Sequence, residues 1–320
     1  MLHASRLIVA ALCLAAAPVW GQSYPVKPIR FIVAQAAGSS TDTLGRLVGK
    51  SMSELLGQQV VIDNRPGAGG AVGTELVASA AADGYTLLLG NISTHGVNPV
   101  FYAKLPYDPV KDFSPISLVA ITPNALVGNS ALGASTVDEL IQLVKRKPNT
   151  IYFSSAGNGS AQHLAMALFE NMAGIRLVHV PYKGGNPAIS AVLSGEVSLM
   201  VPTLPLAMPF VKTGKIKLFA VTSSRRLPEM PDVPAVAETL PGYEMVSWFG
   251  VLGPASMPVG VVQKLNGALA SVLAQLDVKK AVARAGFQTD TSTPEQFGAF
   301  IKRELEKWRA VASARRIKAE

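Results

Sequence analysis

From Pro28 onward the apolar residues of this chain keep changing their period, and that alternation restricts the fold more than any other feature. Residues 28–33 (Pro-Ile-Arg-Phe-Ile-Val) form a short run with the composition of a buried strand. A Gly/Ser/Thr turn follows at 38–42, after which Leu44, Leu47, Val48, Met52 and Leu55 recur at helical spacing until Gly57. Residues 59–63 read as a second strand, 71–82 as a helix entered through a glycine turn at 66–73, and 85–89 as a third strand. Strands that alternate with helices through short turns predict an α/β lobe on a mostly parallel sheet.

The pattern lapses over 107–115 and passes through apolar stretches at 116–121 and 125–127 before it resumes. Helices are expected at 136–146, 161–172, 187–193 and 204–213, and strands at 151–154, 177–180, 197–201 and 216–222. These make a second α/β lobe. A connector containing Pro228, Pro231, Pro234 and Pro241 then leads to a strand at 246–252 and two helices at 259–276 and 294–314, expected to return to the first lobe. The division is therefore a discontinuous first lobe, 22–121 plus 243–320, and a second lobe, 122–242. Two crossings between lobes make a hinge, and the cleft between them is the natural place for a ligand.

One apolar run stands apart. Residues 7–19 follow His3 and Arg6 and end in Val-Trp-Gly, the arrangement of a signal peptide (1–21) cut between Gly21 and Gln22. About 13 apolar residues are too few for a permanent span, and nothing later reaches the roughly 18 that one needs. The single cysteine, Cys13, would leave with this segment, so the exported chain has no disulfide and no thiolate metal ligand. Lys and Arg number 29 against 21 Asp and Glu, a net charge of +8. These charges are spread along the chain without a nucleic-acid motif, so nucleic acid is not an expected partner.

Catalytic constellations fail one by one. His95, His163 and His179 have no histidine or glutamate partner at metal-ligand spacing, so no metal site is expected. Gly157-Asn158-Gly159-Ser160-Ala161 misses the nucleophile elbow because Ala161 stands where glycine is required. Ser160 and His163 lie three residues apart with no third orienting group, which leaves a hydrolase poorly supported. The glycine turn at 66–73 misses the dinucleotide fingerprint and lacks a Walker lysine, so no cofactor is expected.

Two loops remain, and they share one design. Gly38-Ser39-Ser40-Thr41-Asp42 and Ser155-Ala156-Gly157-Asn158-Gly159-Ser160 each join the end of a strand to the start of a helix. Free N–H groups and the positive end of the helix dipole make such a junction an anion cradle. With one cradle per lobe, the two ends of a small carboxylate could be held when the lobes close.

The blocks that surround these loops are distinctive. They include Asn64-Arg65-Pro66-Gly67-Ala68-Gly69-Gly70, Asp83-Gly84-Tyr85-Thr86-Leu87, and Tyr107-Asp108-Pro109-Val110-Lys111-Asp112-Phe113. His163-Leu164, His179-Val180-Pro181-Tyr182-Lys183-Gly184, Pro231-Asp232-Val233-Pro234 and Trp248-Phe249-Gly250 follow in order. The chain thereby resembles the extracytoplasmic solute receptors of the tripartite tricarboxylate transporter system, the Bug receptor family. The resemblance implies an α/β, two-lobed periplasmic binding protein (Venus flytrap) fold with a hinge and interlobe cleft. It implies a periplasmic solute-binding protein, not an enzyme, that captures a di-, tri- or aromatic carboxylic acid for uptake. The implied partners are the carboxylate and, transiently, the membrane transporter subunits, with the receptor acting as a monomer. The alternative is a sensor that presents its liganded state to a signalling partner.

Carried onto this sequence, Gly38, Ser39, Ser40, Thr41 and Asp42 would line one side of the cleft. Ala156, Gly157, Asn158, Gly159, Ser160 and His163 would line the other. The chain also departs from the family pattern. Ala34-Gln35-Ala36-Ala37 replaces the usual Pro-Phe-Ala/Pro-Gly, and Ser198, Val201 and Pro202 replace acidic and aromatic positions. Thr203 remains as a polar contact there, and the lost acidic group argues against an amino-bearing ligand.

Overall fold

The computed structural model describes residues 24–315, so the expected signal peptide and Cys13 lie outside the described residues. Strand β1 (Ile29–Val33) is flanked by β2 (Val60–Asn64) and β3 (Thr86–Asn91), both parallel to it. A strand covered on both faces reads as a continuous apolar run, and Ile29, Ile32 and Val33 are fully buried. Helix α1 (Ser40–Leu56) begins where the Ser39 hydroxyl accepts Asp42 N–H at 3.2 Å, and it ends at Gly57 with φ 66°. Its buried stripe, Leu44, Val48 and Met52, joins Phe31, Leu87 and Leu89 in one cluster. Helix α2 (Ala71–Ala78) lies between β2 and β3 in sequence. After β3 come a buried π-helical turn, Ser93–Val97, and the short α3 (Asn98–Phe101). No apolar period announces this turn; it is shaped by Asn91, whose Oδ1 accepts the N–H groups of Ser93 and Thr94 at 3.0 and 3.3 Å.

Strand β4 (Phe113–Pro123) starts inside the stretch expected to be loop, because Phe113 is buried and pairs with Pro254. One residue, Asn124, separates it from β5 (Ala125–Asn129), which belongs to a second sheet. That sheet is built by α4 (Val137–Arg146), β6 (Tyr152–Ser155), α5 (Ala161–Ala173), β7 (Val178–Pro181) and α6 (Gly185–Ser194). It is completed by β8 (Leu199–Met200), α7 (Leu204–Lys212) and β9 (Ile216–Val221), in the order β7-β6-β8-β5-β9. The connector 222–245, with one-turn helix α8 (Val236–Thr239), returns the chain as β10 (Val246–Pro254) between β3 and β4. Helices α9 (Val259–Ala274) and α10 (Leu276–Arg284), strand β11 (Gln288–Thr289) and helix α11 (Pro294–Arg315) follow. The first sheet thus reads β11-β4-β10-β3-β1-β2.

Two expectations need correction. Both sheets are mixed rather than mostly parallel: β10 runs antiparallel to β3 and β4, and β5 antiparallel to β8 and β9. Parallel pairing holds where a helix crosses over between neighbouring strands, as α1 does between β1 and β2 and α5 between β6 and β7. The helix expected over 259–276 breaks at Gln275, whose ψ of 133° is extended, and a separate α10 follows.

Where the chain crosses, buried polar groups tie three segments together. Asn124 N–H donates to Thr222 Oγ1 at 2.9 Å and Thr222 N–H donates back to Asn124 O at 3.0 Å. Asn124 Nδ2 donates to Met245 O at 3.3 Å, and Ser247 Oγ donates to Asn124 Oδ1 at 2.9 Å. Asn124, Thr222 and Ser247 are all buried. The return strand is locked to the last helix by one carboxylate, since Trp248 and Trp308 both donate their indole N–H to Glu304 Oε2, at 3.0 and 3.2 Å. Gly250, in the Trp-Phe-Gly block, lies against the Phe297 ring, and a Cβ there would collide with it. Replacing Asn124 by Ala leaves the Ser247 hydroxyl without its acceptor at the crossing, while the Met245 carbonyl keeps the Thr222 hydroxyl. The expected loss, measured by urea unfolding, is about 1–3 kcal/mol, the cost of one buried group deprived of its partner.

Candidate functional site

Between the two sheets lies a cavity of about 520 Å³, a size within the range of small-molecule sites. Five helices of eight residues or more place their amino-terminal ends at its wall. Ser40 and Thr41 of α1, Gly70 before α2, Ala161 of α5, Gly185 of α6 and Thr203 before α7 all line it. The first turn of a helix has N–H groups without intrahelical acceptors, and the dipole adds partial positive charge there. No aspartate, glutamate or arginine lines the cavity among the described residues, and its one charged lining side chain is Lys183, exposed at the rim. The groups facing a ligand are amides, hydroxyls and backbone N–H. An anion is therefore met by dipoles rather than by a fixed countercharge.

The first loop divides into a face toward the cavity and a face toward the protein. Ser39, Ser40 and Thr41 line the cavity, and the N–H groups of Ser40 and Thr41 have no acceptor among the described residues. Asp42 turns the other way, a correction to its expected place in the wall. Its Oδ2 accepts Gly38 N–H at 2.8 Å and Arg46 Nε at 2.9 Å, and its Oδ1 accepts Asn64 Nδ2 at 3.0 Å. Burial pushes this carboxyl up, but Arg46, the Gly38 N–H and Asn64 outweigh burial and hold it below the ordinary aspartate value. Asp42 is thus the fastener that folds the loop back onto α1. Gly38 does not line the cavity either: with φ 75° it turns the loop, and a Cβ there would stand 2.9 Å from Asn186 of the other lobe.

The second loop consumes most of its own donors, contrary to the expected row of free N–H groups. Ala156 N–H donates to Gln162 Oε1 (2.7 Å), Gly157 N–H to Ser155 Oγ (3.1 Å), Gly159 N–H to His163 Nδ1 (3.3 Å) and Ser160 N–H to Gly157 O (3.1 Å). The N–H groups of Asn158 and Gln162 remain without acceptors among the described residues. Ala156, Gly157, Asn158 and Ser160 of this loop line the cavity; Gly159 and His163, expected there too, do not. The His163 ring lies beneath the loop, stacked on His179 with centroids 3.9 Å apart and planes at 7°, and His179 stacks in turn on Phe153 at 4.7 Å. Ser155 Oγ lies 2.7 Å from His179 Nε2, within hydrogen-bonding distance, and accepts Gly157 N–H at 3.1 Å. Two stacked imidazoles thus hold the loop from below. Burial, and then the neighbouring His163, push His179 down to about 4.

Three hydrogen bonds cross the cleft. Ser40 Oγ and Thr203 Oγ1 lie 2.6 Å apart, Tyr102 OH donates to Asn158 O at 3.1 Å, and Ala161 N–H donates to Ser93 Oγ at 3.0 Å. The lobes are closed. Gly159 has φ 69°, and a Cβ there would stand 2.6 Å from Tyr102 Cε2, so glycine is what lets the loop pass under the tyrosine. Thr203 lines the cavity.

Sequence reasoning missed much of the wall. Pro66 to Gly70, read above only as a turn, forms one side; Gln35, Asn91, Gln162, Ser247 and Phe249 contribute as well. Gln35 and Gln162 were within reach, since each adjoins a loop already singled out. Asn91, Ser247 and Phe249 had no local signal, because strands β3 and β10 bring them to the cleft from far along the chain.

With this geometry in place, comparison with known proteins decides the family. The sequence profile of the "Tripartite tricarboxylate transporter family receptor" matches residues 44–317. The chain belongs to this receptor family. Protein BugT of Bordetella pertussis is 35% identical over 298 residues, covering 92% of this chain and 91% of that protein. Among solved structures, the periplasmic binding protein BugD superposes with a TM-score of 0.88 at 32% identity, covering 93% of this chain and all of BugD (100%). An R. palustris protein solved with adipate has a TM-score of 0.87 at 33% identity, covering 91% and 97% of the two chains. MatC from Rhodopseudomonas palustris, solved with bound malate, has a TM-score of 0.86 at 32% identity, covering 90% and 99%. The receptor has the two-lobed α/β fold of these periplasmic binding proteins.

The stacked histidines lead to a pH dependence with a definite sign. His179 binds its proton less readily folded than unfolded, so the stability it supports is complete above about pH 6.5 and is lost as pH falls toward about 4. Fully buried His95, pushed down to about 3 by burial, acts in the same direction. Thermal unfolding midpoints should hold steady above about pH 6.5 and decline below it, and His179→Gln should make that decline shallower. At the cleft, Gly159→Ala is expected to force the Tyr102 ring away and open the lobes, visible as a larger radius of gyration in X-ray scattering.

Proposed function

We propose that this receptor captures a small organic acid in the closed cleft and delivers it to the membrane subunits of a tripartite transporter. The observation that carries the reading is the convergence of helix amino-termini on a cavity whose wall contains no acidic side chain among the described residues. Such a wall attracts a carboxylate through backbone N–H groups and dipoles, and has no anionic partner for a cation. The structural relatives solved with adipate and malate support this choice of chemistry. The binding groups proposed are Ser39, Ser40 and Thr41 on one lobe and Ala156, Gly157, Asn158, Ser160 and Thr203 on the other. Gly38, Asp42, Gly159 and His163 shape the loops that carry them.

The same reading has the chain exported through residues 1–21, cut between Gly21 and Gln22, and working in the periplasm as a monomer. The lobes divide as 22–121 plus 243–320 against 122–242, with Asn124 and the connector 222–245 as hinge. A binding role rather than catalysis is supported at Ser160. Its hydroxyl accepts the His163 backbone N–H at 3.3 Å, and His163 Nδ1 accepts from Gly159 N–H rather than from this serine.

A thermal-shift screen of residues 22–320 against small organic acids tests the proposal. A ligand at about 100 times its dissociation constant adds about 2.7 kcal/mol, a shift of a few degrees. The expected result is a shift from one class of carboxylic acids. Calorimetry should confirm one site per chain, with affinity reduced in Thr203→Val, which loses the closing bond to Ser40. No shift with any acid, together with no small acid co-purifying in native mass spectrometry, overturns the proposal.

A further inference from the structure

Two glutamines, one from each lobe, line the cavity, each with its side-chain oxygen taken by a neighbour and its NH2 beside a lining glycine. Gln35 follows β1, and its Oε1 accepts Asn91 Nδ2 at 3.1 Å. The orientation of Asn91 is itself determined, because its Oδ1 accepts the backbone N–H groups of Ser93 and Thr94. A backbone N–H only donates, so Asn91 must present its NH2 to Gln35, and Gln35 must answer with its oxygen. What Gln35 has left is its own NH2. Its Nε2 has no acceptor among the described residues and lies 2.9 Å from where a Cβ on Gly70, another lining residue, would stand.

Gln162 repeats the arrangement on the facing lobe. Its Oε1 accepts Ala156 N–H at 2.7 Å, again an unambiguous donor. Its Nε2 has no acceptor among the described residues and sits beside Gly185, 3.4 Å from a Cβ built there. Two side-chain amides are thus anchored by their oxygens and offer only N–H groups to the ligand. They add to the backbone donors, and no carboxylate in the wall balances them.

We infer that Gln35 and Gln162 are specificity-determining residues: they select acids whose second polar end is an oxygen acceptor, carboxylate or carbonyl, and reject acids that carry an ammonium group. This rests on the carboxylate-receptor reading and narrows its ligand class. An ammonium entering the cavity gives up its water, meets amide donors and finds no anionic partner, and desolvating an unpaired charge is strongly unfavourable. A carboxylate or carbonyl oxygen accepts from the same amides. A wall that offers donors without an anion discriminates between ligands mainly by leaving the wrong group unpaired.

The test is calorimetry with three diacids, adipate, glutarate and malate, each against its amino counterpart: 2-aminoadipate, glutamate and aspartate. The receptor is expected to bind at least one diacid and to bind the matching amino acid at least about tenfold more weakly. Gln35→Glu and Gln162→Glu retain the oxygen that receives Asn91 or Ala156 and exchange only the inward NH2 for oxygen. Each is expected to lose about ten- to a hundredfold in diacid affinity, while the gap to the amino counterpart narrows. Thermal midpoints without ligand verify that both variants fold, and the diacid to amino-acid ratio of the unmutated receptor needs no variant at all. Equal binding of the two members of a pair overturns the selectivity and leaves the receptor reading standing. So does an equal loss of both ligands in the variants, the mark of a merely structural role. Failure to bind any of the three diacids overturns this inference; the receptor reading falls only if the wider screen of organic acids is silent as well.

Discussion

Backbone N–H groups that no helix can use are the material from which the cleft is made. Every α-helix leaves its first N–H groups without intrahelical acceptors. In βα units those groups emerge at the carboxyl ends of the strands. Here both sheets direct such ends toward one cavity, so α1, α2, α5, α6 and α7 deliver donors to it from two sides. The consequence is an anion site without an arginine in its wall among the described residues. Its strength depends on geometry rather than on net charge, and the overall +8 is at most a diffuse aid to encounter.

The hinge and the site share atoms. Asn124 separates the two sheets, bonds to Thr222 and Ser247 at the crossing, and also lines the cavity, as does Ser247. On the facing side Thr203, paired with Ser40 across the cleft, forms an isolated bridge with Asn124. In the hinge proposed above, a ligand in this cavity would touch the residues about which the lobes turn, so closure and binding would be coupled through a few buried hydrogen bonds.

Several residues that look like site chemistry are supports for the groups that are. Asp42 fastens the first loop through Gly38, Arg46 and Asn64. His163 and His179 stack beneath the second loop and hold it through Gly159 and Ser155. A binding loop made of backbone donors has no side chain to lock its shape, so its precision must come from the residues behind it. Asp42 Oδ2 and His163 Nδ1 are engaged by the N–H groups of Gly38 and Gly159 in the loops themselves.

The linear order of residues determined the fold class and the position of the two loops, because apolar period, turn glycines and Ser/Thr caps are local signals. The shift from five- or six-residue apolar runs to helical spacing was enough to place β1, α1, β6 and α5 within a residue or two of where they lie. Local signals stop at the end of each element. Nothing nearby in sequence marks Ser93–Val97 as a helical turn, separates α10 from α9, or makes β10 antiparallel to β3, since each depends on partners far along the chain. The same holds for the site. Ser40, Thr41, Asn158 and Ser160 were legible as loop residues, but which face of a loop meets the ligand was not. That Asp42 turns inward and Gln35 toward the cavity was settled only when Asn64, Arg46 and Asn91 came into hydrogen-bonding range. A polar side chain of this kind takes its direction from the partner it finds, and those partners are assembled by the tertiary structure alone.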